Sequence, residues 1–125
     1  MIAGKPAIAT VAVKDINRAR RFYEETLGLQ LADKQEEEGT RTYRIGDTAL
    51  FVYESQYAGT NKATAVTWPV DDVDGTVQEL KSKGVTFETY DMPGVKRRGE
   101  VHITGATKVA WFKDPDGNIH AVVSD

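Results

Sequence analysis

The 125-residue chain contains no cysteine and only two histidines, His102 and His120. Without cysteine it forms no disulfide, offers no thiolate nucleophile and holds no cysteine-ligated zinc or iron–sulfur centre. It has no apolar run near the roughly 20 residues that span a bilayer. The opening Met1-Ile2-Ala3-Gly4-Lys5-Pro6 is interrupted too early to read as a signal peptide. Excess positive charge is also lacking. The net charge of −3 and a pI near 5.4 speak against a general nucleic-acid binder. What is present, 40% hydrophobic and 28% charged residues, suits one soluble domain with a sizeable core. The expectation is a cytoplasmic protein with neither membrane nor nucleic acid as partner.

The chain repeats itself. Val13-Lys14-Asp15-Ile16, followed by a helical stretch ending in Leu27-Gly28-Leu29, returns as Val70-Asp71-Asp72-Val73 with a stretch ending in Lys83-Gly84-Val85. The Asp15–Asp72 offset is 57 residues and the Gly28–Gly84 offset is 56. Ala7 to Val13 reads as a strand from its small and β-branched residues. Asp15 is a good N-cap, because its carboxylate accepts from the free amides of the first turn. Ile16, Ala19, Phe22, Tyr23 and Leu27 then share one helical stripe that Gly28 ends. Arg41 to Ile45 and Thr48 to Tyr53 read as strands around Gly46-Asp47, and residues 57–62 as a polar connector.

The second unit restarts with a strand from Thr64 to Val70. Asp72 caps a helix with Val73, Val77 and Leu80 on its buried stripe. Val85 to Thr89 reads as a strand and Asp91 to Gly105 as irregular, with Lys96-Arg97-Arg98 at a loop tip. Lys108 to Lys113 and Ile119 to Val123 are strands around a turn at Asp114-Pro115-Asp116-Gly117-Asn118. Each unit is β-α-β-β-β, which makes Phe51 equivalent to Ala121.

Val13-Lys14-Asp15-Ile16, Phe22-Tyr23, Leu27-Gly28-Leu29, Val70-Asp71-Asp72-Val73 and the run Trp111 to Asn118 occur in an order and spacing that resembles the vicinal oxygen chelate superfamily. That group includes glyoxalase I, extradiol dioxygenases, fosfomycin thiol transferases, methylmalonyl-CoA epimerases and bleomycin-resistance proteins. The resemblance covers nearly the whole chain. It implies an α+β fold: one domain of two tandem βαβββ modules, about residues 6–56 and 63–125, forming a cupped mixed β-sheet. Metal-dependent members hold their ion on inward-facing His, His and Glu residues, sometimes with a further Glu. Carried over by spacing, those positions fall at Ile8, Phe51, Ala65 and Ala121. None of these side chains has a lone pair to donate, so no metal and no cofactor is expected.

Strand parity gives the cavity lining. Ile8 and Thr10 face inward if Ala9, Val11 and Val13 pack under the helices, and Ala65 and Thr67 do so if Val66, Trp68 and Val70 form the core. Phe51 brings Tyr53 with it. The expected ligand-binding set is Ile8, Thr10, Phe51, Tyr53, Ala65, Thr67, Ala121 and, by analogy, Trp111, a lining suited to a small hydrophobic or aromatic ligand. Trp111 reads equally as a stacking platform or as a packing or dimer-interface residue. His120 is expected to point away from the cavity, opposite Ala121, and His102 to sit exposed in a loop. A metal site from both histidines and Glu100 is conceivable, and His102 is a catalytic candidate as a general base. The basic run could grip an anion, and Tyr90-Asp91-Met92-Pro93-Gly94 could gate the pocket.

Three functions follow. The first is a metal-free homodimer that binds a small molecule, as in antibiotic sequestration and resistance. The second is an enzyme of the superfamily, a lyase, isomerase or dioxygenase with a displaced metal site or acid–base residues. The third is an accessory binding or structural subunit.

Overall fold

The computed structural model describes residues 1–32 and 37–125. β1 (Ala9–Val13) leads into Asp15, whose Oδ1 accepts from the backbone N–H of Asn17 at 2.9 Å and caps α1 (Ile16–Arg20). The helix widens over Arg21–Thr26 into π-type turns, where Leu27 N–H bonds the Phe22 carbonyl at 2.9 Å. The sequence spacing predicts unbroken α-helix here. A wider turn narrows the angle between the adjacent Phe22 and Tyr23, and both rings reach the interior. Gly28, at φ +72°, then reverses the chain, as its lack of a Cβ allows.

β2 (Gln30–Leu31), β3 (Thr40–Ile45) and β4 (Thr48–Glu54) complete the first module. Its sheet order is β1-β4-β3-β2, with β1 and β4 parallel and the other pairs antiparallel. β5 (Thr64–Pro69) opens the second module, and Asp72 Oδ1 caps α2 (Val73–Ser82) through Gly75 N–H at 3.0 Å. β6 (Phe87–Glu88), β7 (Lys96–Arg98), β8 (Val101–Thr104), β9 (Thr107–Lys113) and β10 (Ile119–Ser124) follow. The order is β5-β10-β9-β8-β7, with β6 also against β9, and β5 and β10 are parallel.

Two further expectations change. The strand expected over Val85 to Thr89 is only Phe87–Glu88, and the segment expected to be irregular from Asp91 to Gly105 contains the β7–β8 hairpin. Lys96-Arg97-Arg98 has no apolar alternation to announce a strand. The pairing with β8, whose Val101 and Ile103 turn inward, holds it there. The hairpin is an insertion between β6 and β9. The offset between equivalent positions accordingly grows from 57 at Asp15–Asp72 to 70 at Phe51–Ala121.

The core forms two clusters, one under each helix, with Phe22, Leu27 and Trp68 touching both. The turn after β9 fastens the modules together. Asp116 Oδ1 accepts from Lys14 N–H at 3.2 Å and from Arg18 at 2.8 Å, and Asn118 Nδ2 donates to the Ala12 carbonyl at 2.8 Å. Gly59 of the connector lies so close to this turn that a Cβ there would stand 2.6 Å from the Asp116 carbonyl oxygen.

Candidate functional site

Each sheet has one face under its helix and one face open. Register places Thr10, Phe51 and Thr42 side by side across the open face of the first sheet, and Thr67, Ala121 and Trp111 across that of the second. The internal repeat is therefore visible as two matched rows. The bulk differs: the ring stands on β4 in the first module, at Phe51, and on β9 in the second, at Trp111.

Phe51 stacks on Tyr53 with centroids 5.9 Å apart and planes at 13°. Thr10 and Tyr53 are exposed, and Ile8, just before β1, is 55% exposed. Thr67 is exposed, whereas Ala121 is only 4% exposed beneath its neighbours. Ala65 behaves differently. The β5–β10 register shifts between Ile119 and His120, so two β5 residues oppose one on β10, and Ala65 packs against the hydrophobic cluster of the first module. Parity across a bulge is shifted by one, which is why alternation placed it with the lining.

Trp111 donates from Nε1 to Thr64 Oγ1 at 3.2 Å and meets two rings edge to face. Tyr90 lies 5.2 Å from it and His102 4.8 Å, centroid to centroid. His102 is thus no loop residue: it stands on β8, 2% exposed, on the open face across from Val109. Tyr90 N–H donates to its Nε2 at 2.9 Å. In the neutral ring the proton then sits on Nδ1, a buried atom without a hydrogen-bond partner. Neither nitrogen presents a lone pair to solvent, which weighs against general-base work in this arrangement.

His120 is on the opposite face, fully buried, stacked between Trp68 and Phe112. Trp68 Nε1–H donates to its Nδ1 at 3.0 Å. Tyr23 gives its hydroxyl proton to Asp114 Oδ2 at 2.7 Å, so His120 Nε2–H donates to the Tyr23 oxygen at 3.0 Å. Each donor from Trp68 through His120 to Tyr23 has an acceptor, and one neutral tautomer of His120 is selected. Burial pulls the His120 pKa down from 6.5 to about 4, and burial beside Asp114 pushes the Tyr23 hydroxyl well above its ordinary range. The group braces the seam between modules and is remote in role from the open faces.

The side chains of Ile8, Phe51, Ala65 and Ala121 contain no nitrogen or oxygen, so these positions do not fit a transition metal. Among the described residues no group of three or more histidine, aspartate or glutamate side chains is placed to hold one. His102 and His120 lie on opposite faces of their sheet, so they do not join Glu100 in a common site. Glu100 instead pairs with Lys81, which holds its carboxyl below the usual range.

Two cavities lie on the helix side. One of about 180 Å³ runs between Leu27, Leu29 and α2, with Glu79 and Lys83 at its rim. The other, about 310 Å³, sits between Phe22 and the Lys113–Pro115 turn. The first is below the size usual for ligand sites, roughly 300–1,000 Å³, and reads as a gap in helix packing; the second reaches only the lower end of that range.

Sequence reasoning offered Tyr90 as part of a gate and Arg97 as part of an anion-gripping run, but it did not place Tyr90 against Trp111 or Arg97 across from His102. The aromatic Tyr90 just before Asp91-Met92-Pro93-Gly94 was the available signal for the first. The hairpin that places the second has none.

The sequence matches the family model described as the Glyoxalase/Bleomycin resistance protein/Dioxygenase superfamily over residues 5–121. The chain belongs to that superfamily. Among solved structures, it is similar to a lactoylglutathione lyase from Agrobacterium tumefaciens, at 15% identity and a TM-score of 0.70, covering 96% of this chain and 92% of that one. It is also similar to the fosfomycin resistance protein FosX from Mesorhizobium loti, at 16% identity and a TM-score of 0.67, over 100% and 94% of the two chains. TnmS3, an antibiotic binding protein from Streptomyces sp. CB03234, is 22% identical with a TM-score of 0.66, over 99% and 98%. These likenesses establish the α+β fold with its cupped mixed sheet. No curated protein matches the sequence. Among the described residues no helix is long and apolar enough to cross a membrane.

Proposed function

We propose that this superfamily member binds a small hydrophobic or aromatic molecule on its open sheet faces without a metal ion, in the manner of antibiotic sequestration. One observation carries the reading: the positions that correspond by spacing to the ligands of metal-dependent members hold Ile8, Phe51, Ala65 and Ala121, while rings line the open faces at Phe51, Tyr53, Trp111 and Tyr90. Removing the Lewis acid removes the means of stabilising an enolate, an alkoxide or bound dioxygen. Burial and stacking remain. Fosfomycin resistance and antibiotic binding in two fold neighbours are compatible with such a role.

The working form is a homodimer in the cytoplasm. The open faces expose Ile8 and Tyr53 beside Phe51, and leaving apolar area in water is unfavourable by roughly 25 cal/mol per Å². A second copy facing them encloses the ligand. Elemental analysis of purified protein, with light scattering alongside, tests the reading. Less than about a tenth of a transition-metal ion per dimer is expected. About one zinc, nickel, iron or manganese per chain would restore the enzyme reading, a lyase, isomerase or dioxygenase, and a monomer at micromolar concentration would remove the enclosing partner.

A further inference from the structure

We propose that the β7–β8 hairpin makes the open face of the second sheet selective for an anionic aromatic ligand, with Arg97 receiving the acidic group. This rests on the open face being a binding surface and adds the class of ligand.

Strand alternation divides the basic run Lys96-Arg97-Arg98 between two faces. Lys96 stands across from Ile103, and Arg98 across from Val101, both of which pack into the helix-side core. Arg98 accordingly turns to α2, where it donates to both carboxylate oxygens of Asp74 at 3.0 and 2.9 Å. Arg97 stands across from His102, and His102 across from Val109, which shares the open face with Trp111. One cation of the three is therefore delivered to the rim of the ring cluster.

That cation is loosely held. Its partner is Asp91 Oδ1 at 3.6 Å, and the Asp91 side chain is 98% exposed. An exposed pair of this length is weak and easily exchanged for a better acceptor. The planar guanidinium suits a carboxylate, sulfonate or phenolate oxygen. The acid directly across from Trp111, Glu88 on β6, is already near Lys113, 3.7 Å away. Trp111 and Tyr90 supply the apolar wall.

The test uses two fluorescent probes with the same ring system, anilinonaphthalene sulfonate and the uncharged phenylnaphthylamine. Each is titrated into folded wild-type protein and the variants Arg97→Gln, Arg97→Lys, Arg98→Gln and Trp111→Ala at low salt. The sulfonate is expected to bind about tenfold more tightly than the neutral probe, from one charge-assisted contact. Arg97→Gln should weaken the sulfonate about tenfold and leave the neutral probe within about twofold. Arg97→Lys should keep part of the preference, Arg98→Gln all of it, and Trp111→Ala should weaken both probes. If Trp111→Ala weakens both but Arg97→Gln changes neither, or both equally, the anion assignment falls and the binding surface stands. A selective loss in Arg98→Gln instead would overturn the division of the run. If neither probe binds, or Trp111→Ala changes neither, the binding-surface reading falls and the proposal with it.

Discussion

The two modules share a strand order and a capped helix, and they differ in what sits on their open faces. The first presents a flat stack, Phe51 on Tyr53, beside threonines and aliphatic residues. The second presents a walled cluster of Trp111, Tyr90 and His102, with Arg97 at its rim. Every member of that cluster except Trp111 comes from the segment between β6 and β9, where the second module is longer. The duplicated part of the chain builds the scaffold, and the unduplicated part builds the local chemistry. Loops and insertions on a rigid sheet are where binding function usually concentrates.

The seam between the modules offers the largest effect. His120→Ala leaves Trp68 Nε1–H without an acceptor and opens a cavity beside Phe112. It should destabilise the protein by about 3 kcal/mol in urea denaturation. Probe affinity at folded concentrations should change by less than about threefold. A large affinity loss with stability unchanged would put His120 on the binding face and shift the parity of β10 by one residue. The same histidine gives the wild type a pH signature. Its pKa is about 4 in the folded chain and 6.5 as the ordinary value, so between these the unfolded chain binds more protons. Stability therefore falls as pH drops from about 6.5 to about 4, by up to about 3 kcal/mol, and His120→Ala should lack that slope.

A smaller effect compares the two rings directly. Trp111→Ala should weaken binding of anilinonaphthalene sulfonate by about 1–3 kcal/mol, and Phe51→Ala by less than about 1 kcal/mol, read by calorimetry. Equal losses would mean that the two open faces hold the ligand jointly, and the asymmetry argued here would disappear.

Much of this comparison was legible in the sequence. Both helix caps, both terminating glycines and the strands around Gly46 and the Asp114–Asn118 turn follow from local residue preferences. Alternation separated His120 from Ala121, because the aliphatic set on each strand must face the helix. What escaped depends on pairing across the sheet. The β5 bulge that turns Ala65 toward the core leaves no mark in a run of small residues. Strand β7 consists of three cations, whose side chains carry no inside or outside, so only the neighbouring strand assigns them a face. His102 follows β7 in the same hairpin and was misplaced with it.

The smallest effect concerns how that hairpin is anchored. Arg98 and then Lys108 hold the Asp74 carboxyl below its usual range. The pairs are solvent-exposed, so Asp74→Asn should reduce global stability by only a few tenths of a kcal/mol, less in high salt. Amide exchange over residues 96–104 should nevertheless quicken, because the hairpin loses its tie to α2. Unchanged exchange there would show that pairing with β9 alone fixes the insertion.

The most direct measurement is a crystal structure of the protein soaked with anilinonaphthalene sulfonate. Probe density is expected on the open face of the second sheet, with its rings against Trp111 and its sulfonate at Arg97. Density in the helix-side groove between Leu27, Leu29 and α2, with the open face empty, would contradict it.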